Sequence, residues 1–169
     1  MANILTIDDF DGQFEMPSNS YTDAQIEMYI EDVQEEQLTD LLGYDLYNEF
    51  MTALDATPDV KWTNLRDGDT YQDGEYLRKF KGIKDMLKYF TYFEYMRSLR
   101  IEARETGFRL PDGTNSDEAG NLGTVRLKRM YNKGIAIYQD AYFYIKEENK
   151  GTEIFELFRY KHKYKTSLA

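Results

Sequence analysis

Cysteine is absent from this chain of 169 residues, which excludes disulfides, thiolate metal sites and a thiol nucleophile, and suits a reducing compartment. There is a single histidine, His162, set among Lys161, Lys163 and Lys165 with no carboxylate near it in sequence. A general base needs a partner that orients it, so His162 reads as a solvated or partner-contacting residue of a basic tail. No run approaches the roughly 18 uncharged apolar residues of a membrane span, and Met1 to Phe14 holds neither a base nor a signal-length apolar stretch. The expected location is therefore intracellular, away from membranes. Lysine and arginine are missing before Lys61, and this absence is the sharpest compositional feature.

What the chain has in plenty is acid at one end and aromatic rings throughout. Residues 1–60 carry 15 Asp or Glu and no base, whereas residues 61–169 carry 16 acids and all 21 bases, so the two parts stand near −15 and +5. Opposite charges attract, and the parts neutralise one another either within the monomer or between neighbouring copies. A net charge of −10 argues against sequence-independent DNA wrapping, which many phosphate contacts drive. Tyrosine, with 15 residues, and phenylalanine, with 10, supply nearly all the aromatics. A tyrosine joins an apolar ring to a polar tip and suits half-buried positions and interfaces. At this length one domain with an ordinary core is expected.

Thr22 stands three residues before Gln25 in a capping box, with Tyr21 and Ile26 spaced for a hydrophobic staple, so a helix is expected to start there. Ile26, Tyr29, Ile30, Val33 and Leu41 share one face, Glu27, Glu31, Glu35 and Glu36 lie off it, and Gly43 offers a stop. Leu46, Tyr47, Phe50, Met51 and Leu54 predict a second, short helix that ends before Thr57-Pro58 and folds back as a hairpin. Residues 58–78 lack a period and are rich in Gly and Asp; they read as an ordered loop with a turn of helix, anchored by Trp62, Leu65, Tyr71 and Tyr76.

Lys79 to Arg104 is the longest convincing helix, apolar around most of its circumference and therefore central. Arg97, Arg100 and Arg104 make a basic face at its end. Thr106 to Gly123 reads as a long loop. From Leu127 through Met130, Tyr131, Gly134, Ile137, Tyr138, Ala141, Tyr144 and Ile145 the spacing predicts a last helix of about 25 residues. Within it, Gly134 marks the close approach of another backbone. The chain closes with Ile154, Phe155, Leu157 and Phe158 followed by a basic run. No alternation is long enough for a sheet, and the expected fold is all-α: an up-and-down helical bundle with long loops and an extended C-terminal tail.

Catalytic chemistry is hard to assemble from these residues. Asp67, Asp69, Asp73 and Glu75 suggest a calcium loop, but counted from Asp69, Tyr71 stands where a ligand is wanted and Phe80 where a bidentate Glu should close the shell. Gly120 and Gly123 have neither a leading strand nor a following Gly-Lys-Ser, so they do not form a phosphate cradle. Arg126, Arg129 and Lys133, at i, i+3 and i+7, make a basic helix face that is either solvated or meets phosphate. No catalytic residue, metal or cofactor is expected, and the chain reads as structural.

The run Leu41-Leu42-Gly43, Leu46-Tyr47 and Phe50, closing an acidic first helix, is followed by Trp62, Gly82-Ile83, Met86-Leu87, Tyr89-Phe90, Tyr92, Tyr95 and Thr106-Gly107. This pattern resembles the head-tail adaptor (connector) proteins of tailed bacteriophages, and most closely those of phages and prophages of gut anaerobes, including crAss-like phages. The resemblance covers residues 20–108, and the remainder matches by helix order. It implies a non-enzymatic virion protein of the neck, assembled in the host cytoplasm. It further implies a homo-oligomer, a dodecameric ring below the portal protein, that extends the DNA channel, lets DNA pass without specific binding and seats the next neck or tail protein.

The same resemblance implies a helical adaptor domain over 1–152 and a C-terminal docking tail over 153–169. In that tail Ile154, Phe155, Leu157, Phe158, Arg159, Lys161, Lys163 and Lys165 would meet the portal. Candidates for subunit contact or for facing DNA are Glu27, Glu31, Glu35, Arg97, Arg100, Arg104, Arg126, Arg129 and Lys133. The contrasting expectation, from the same cations, is a helical DNA-packaging or regulatory nucleic-acid-binding protein.

Overall fold

The computed structural model describes residues 3–14, 23–105, 116–150 and 154–158, excepting the side chains of residues 100–105 and 116–123. The protein is mostly helical. After two short 3₁₀ turns, Ile7–Asp9 and Gly12–Phe14, come α1 (Asp23–Leu42), α2 (Tyr44–Asp55) and α3 (Val60–Asp67). A hairpin of β1 (Asp69–Asp73) and β2 (Tyr76–Phe80) leads to α4 (Ile83–Glu105) and α5 (Ser116–Glu148).

Helix α1 buries Ile26, Ile30, Val33, Leu38, Leu41 and Leu42 and exposes Glu27, Glu31, Glu35 and Glu36, as its periodicity predicts. It stops where expected, because Gly43 takes φ 79°, a conformation that costs a Cβ-bearing residue. The Gly43 N–H bonds to the Thr39 carbonyl, and the Gly43 carbonyl accepts from Tyr47 at the start of α2. The Thr22 capping box lies outside the described residues. Helix α4 packs against α1, α3 and α5 and buries Ile83, Met86, Leu87, Tyr89, Phe90, Tyr92 and Tyr95. Its central position follows from apolar residues on most of its sides.

Three expectations are corrected. The loop expected over 58–78 is a two-turn helix and most of a β-hairpin, so the fold is mostly α but not all-α. Asp73 pairs with Tyr76 across the two-residue turn Gly74-Glu75, and only Tyr71 and Phe80 of the two strands are buried. Both rings pack on Tyr144 of α5, at centroid distances of 5.7 and 4.9 Å, so the hairpin takes its core from a helix rather than from its own alternation. The central helix consequently begins at Ile83, since Lys79 and Phe80 belong to β2.

The second correction concerns the long loop. Residues 116–123 already belong to α5, which at 33 residues is about 50 Å long; residues 106–115 lie outside the described ones. The third concerns Gly134. A Cβ there would stand 3.1–3.3 Å from the ring of Phe90, so the close neighbour is an aromatic side chain and not a backbone.

The segment before α1 also belongs to the core. Leu5, Phe10 and Phe14 are buried, and the N–H of Ile4 donates to Oε1 of the buried Gln34 at 2.7 Å. Phe14 meets Tyr89 edge-on at 4.8 Å.

Candidate interaction surfaces

Charge separation along the chain becomes charge separation in space. The outer face of α1 presents Glu27, Glu31, Asp32 and Glu35, all exposed and none in an ion pair among the described residues. The field of this helix reaches inward as well. Burial first, and then the Glu35 carboxylate, push the Tyr47 hydroxyl up, against an opposing hydrogen bond with Gln34. Burial first, and then Asp40, do the same to Tyr138.

Part of the acidic excess is neutralised within the monomer. Asp9 lies 2.8 Å from Lys84 and 3.8 Å from Lys88 of α4. Lys61, the first cation of the chain, sits 3.6 Å from Glu49, 4.4 Å from the Trp62 ring centroid, and donates to the Ile154 carbonyl at 3.3 Å.

On α5, Arg126, Lys128 and Arg129 are exposed. Arg126 donates to the Gln13 carbonyl at 3.0 Å, and the Lys133 ammonium stands 5.6 Å from the Tyr89 ring centroid. Lys128 and Arg129 have no ion-pair partner among the described residues. The basic end expected on α4 divides: Arg97 pairs with Glu94 at 3.2 Å one turn earlier, while the side chains of Arg100 and Arg104 lie outside the described residues.

The C-terminal segment is placed differently from a free tail. Phe155 and Phe158 are 1% and 3% exposed, with Phe155 5.5 Å from Trp62 and Phe158 5.7 Å from Tyr142. Ile154 is half-buried and Leu157 exposed. Residues 154–158 thus share the core of the preceding helices, across the boundary expected at 152/153, and the two phenylalanines stand in that core rather than on a free docking face. Arg159, Lys161, Lys163 and Lys165 lie outside the described residues.

The three aspartates of the 67–75 segment are already engaged. Asp67 pairs with Arg66 at 2.7 Å, which holds its carboxyl below the usual range. Asp69 accepts from Asn64 at 2.6 Å, and Asp73 pairs with Arg78 at 2.7 Å. Among the described residues no three His, Cys, Asp or Glu side chains are grouped to hold a metal ion, and no helix is long and apolar enough to cross a membrane.

A model described as a family of unknown function, DUF6712, matches residues 38–167. The chain belongs to that family. No curated protein and no solved structure matches it. The DUF6712 stretch opens in the last turns of α1 and runs through α2, α3, the hairpin, α4 and α5. Its α5 carries the basic face, whereas Glu27, Glu31 and Glu35 precede the matched residues. Two surface residues lie outside the charge pattern: Met28 among the acids of α1 and Val125 at the start of the basic face of α5, 61% and 62% exposed. Both are legible as apolar residues out of phase with their helix's buried stripe.

Proposed function

We propose that this DUF6712 protein is a structural virion protein, a head-tail adaptor whose copies form a ring below the portal, extend the DNA channel and join the capsid to the tail. The reading supposes an up-and-down helical bundle elaborated by the hairpin, without a catalytic step. One observation carries it beyond the sequence resemblance: the acids of α1 and the cations of α5 are exposed on two helices that both pack on α4, which suits contact between different faces of successive copies. Leu157 and the cations at 159, 161, 163 and 165 are the proposed portal-facing residues, since Phe155 and Phe158 serve the core. Negative charge on a lumen-facing helix would keep DNA from adhering as it passes.

Cryo-electron microscopy of the protein mixed with a cognate portal protein tests this role. The expected result is a ring of copies on the portal; a strictly monomeric species that ignores the portal would overturn it. The exposed cations of α5 favour one second reading, a nucleic-acid-binding helical protein. That reading requires a duplex-DNA gel shift at low salt that weakens steeply as salt rises.

A further inference from the structure

The exposed stripe of α1 consists of Ala24, Glu27, Met28, Glu31, Asp32 and Glu35. The stripe of α5 consists of Val125, Lys128, Arg129, Asn132, Lys133 and Ala136, which line a shallow groove of about 410 Å³. The two sets fall at the same offsets, i, i+3, i+4, i+7, i+8 and i+11, so each runs about 16 Å along its helix. They are opposites in charge and alike in having an apolar part. On α1, Met28 stands among four carboxylates. On α5, Val125, Ala136 and the aliphatic stems of the cations form an apolar floor rimmed by positive charge.

We infer that the acidic stripe of α1 docks into the α5 groove of a second copy of this chain, with Met28 seated on the groove floor and Glu27, Glu31, Asp32 and Glu35 facing Lys128, Arg129 and Lys133. Methionine adapts its shape to an irregular groove, and the carboxylates gain cations where no ion pair holds them among the described residues. Because the contact joins one face to a different face, it repeats from copy to copy and gives rings or filaments rather than a closed pair. It deepens the ring reading by naming the surfaces that join neighbours, yet it concerns the isolated chain and is measured without the portal.

The absence of cysteine gives a clean background for cross-linking. Met28→Cys and Val125→Cys chains, mixed and mildly oxidised, are expected to give a mixed disulfide dimer, and a chain carrying both substitutions a ladder of multimers. Val60→Cys, on an exposed residue of α3, replaces Met28→Cys in the control pair and is expected to give none. The charge swaps E27K/E31K and K128E/R129E should each reduce cross-linking at least tenfold, and mixing the two swapped proteins should restore it. All substituted positions are exposed, and an unchanged thermal melt certifies the fold.

A Met28–Val125 yield no greater than the Val60 control overturns the inference, as does a doubly substituted chain whose product stops at dimer. Cross-linking indifferent to both swaps, with duplex-DNA anisotropy lost only in K128E/R129E, assigns the α5 face to nucleic acid and also overturns it. Portal binding by the unsubstituted chain, read separately, distinguishes the fate of this contact from that of the neck role.

Discussion

Asn149 grips the backbone of Phe155 from both sides: its Nδ2 donates to the Phe155 carbonyl at 2.9 Å, and its Oδ1 accepts from the Phe155 N–H at 2.6 Å. These bonds turn the chain back after α5 and set the Phe155 ring beside Trp62, which lies 5.6 Å from Phe50. Asn149→Ala leaves the part-buried Phe155 N–H unpaired and its carbonyl with the Phe158 N–H alone, and should cost about 1–3 kcal/mol. Phe155→Ala should cost about 3–5 kcal/mol, while Leu157→Ala at the neighbouring exposed position should stay within about 0.5 kcal/mol. Thermal melts measure this, each kcal/mol lowering Tm by about 2–4 °C in a domain of this size. A chain cut after residue 152 should melt as low as Phe155→Ala; a melt equal to the full chain would show that the segment adds nothing to the core.

Gly68 and Gly82 close the base of the hairpin by letting two backbones touch. A Cβ on Gly82 would stand 2.5 Å from the Arg66 carbonyl oxygen, and one on Gly68 2.6 Å from that of Phe80, with both residues at positive φ. Gly82→Ala therefore adds steric overlap to backbone strain and should destabilise by more than about 1 kcal/mol. Gly74, at φ 62° in the hairpin turn, has open space around it, and Gly74→Asn should change stability by less than about 0.5 kcal/mol because Asn tolerates the left-handed region. Equal urea midpoints for the two variants would contradict the close approach.

The parts of this fold that were readable from sequence are those where one periodicity dominates. The five apolar positions from Ile26 to Leu41, ended by Gly43, are enough to place α1, and the ring-rich circumference of α4 is enough to place it centrally. The hairpin was hidden because Tyr71 and Phe80 are its only inward residues, and a helix 60 and more positions later completes their burial. The first turns of α5 were hidden by Gly120 and Gly123, whose low helical propensity the helix overrides. Two polar residues, Gln34 and Asn149, fix segments through hydrogen bonds to backbone atoms that no side-chain pattern announces. Of the candidate surfaces, the charges are visible in the sequence, whereas Met28 and Val125 stand out only once the buried stripes of α1 and α5 are fixed.

Two aspartates should shift stability with pH in opposite senses. Burial alone would raise the Asp9 carboxyl, but the Lys84 hydrogen bond, the Thr6 N–H and the charges of Lys84 and Lys88 outweigh it and hold it below 3.8. Its contribution is full above that unfolded value and lost as pH falls through the lower folded one. Asp140 is raised by burial, against the partial opposition of Arg78 and Lys81. Its contribution is present below 3.8 and lost as pH rises through the folded value. At pH 7, then, Asp9→Asn should destabilise and Asp140→Asn stabilise, each by no more than about 1 kcal/mol. Urea titrations from pH 7 to pH 3 should show both differences shrinking toward zero.

Phe90 and Gly134 are coupled by shape, and a double-mutant cycle should expose it. Phe90 is 2% exposed and meets the Tyr131 ring edge-on at 5.7 Å, so its truncation to Ala should cost about 3–5 kcal/mol. Gly134→Ala should gain about 1 kcal/mol of helical propensity, but its methyl would press on a ring that α4 and α5 hold from both sides. In the unsubstituted protein the gain is therefore cancelled, and the variant should be neutral or less stable. Phe90→Leu removes the ring atoms nearest Gly134, and in that background the same substitution should recover most of its propensity gain. The coupling expected between the two sites is of order 1 kcal/mol. If the effects of the two substitutions simply added, the glycine would owe its place to something other than the Phe90 ring.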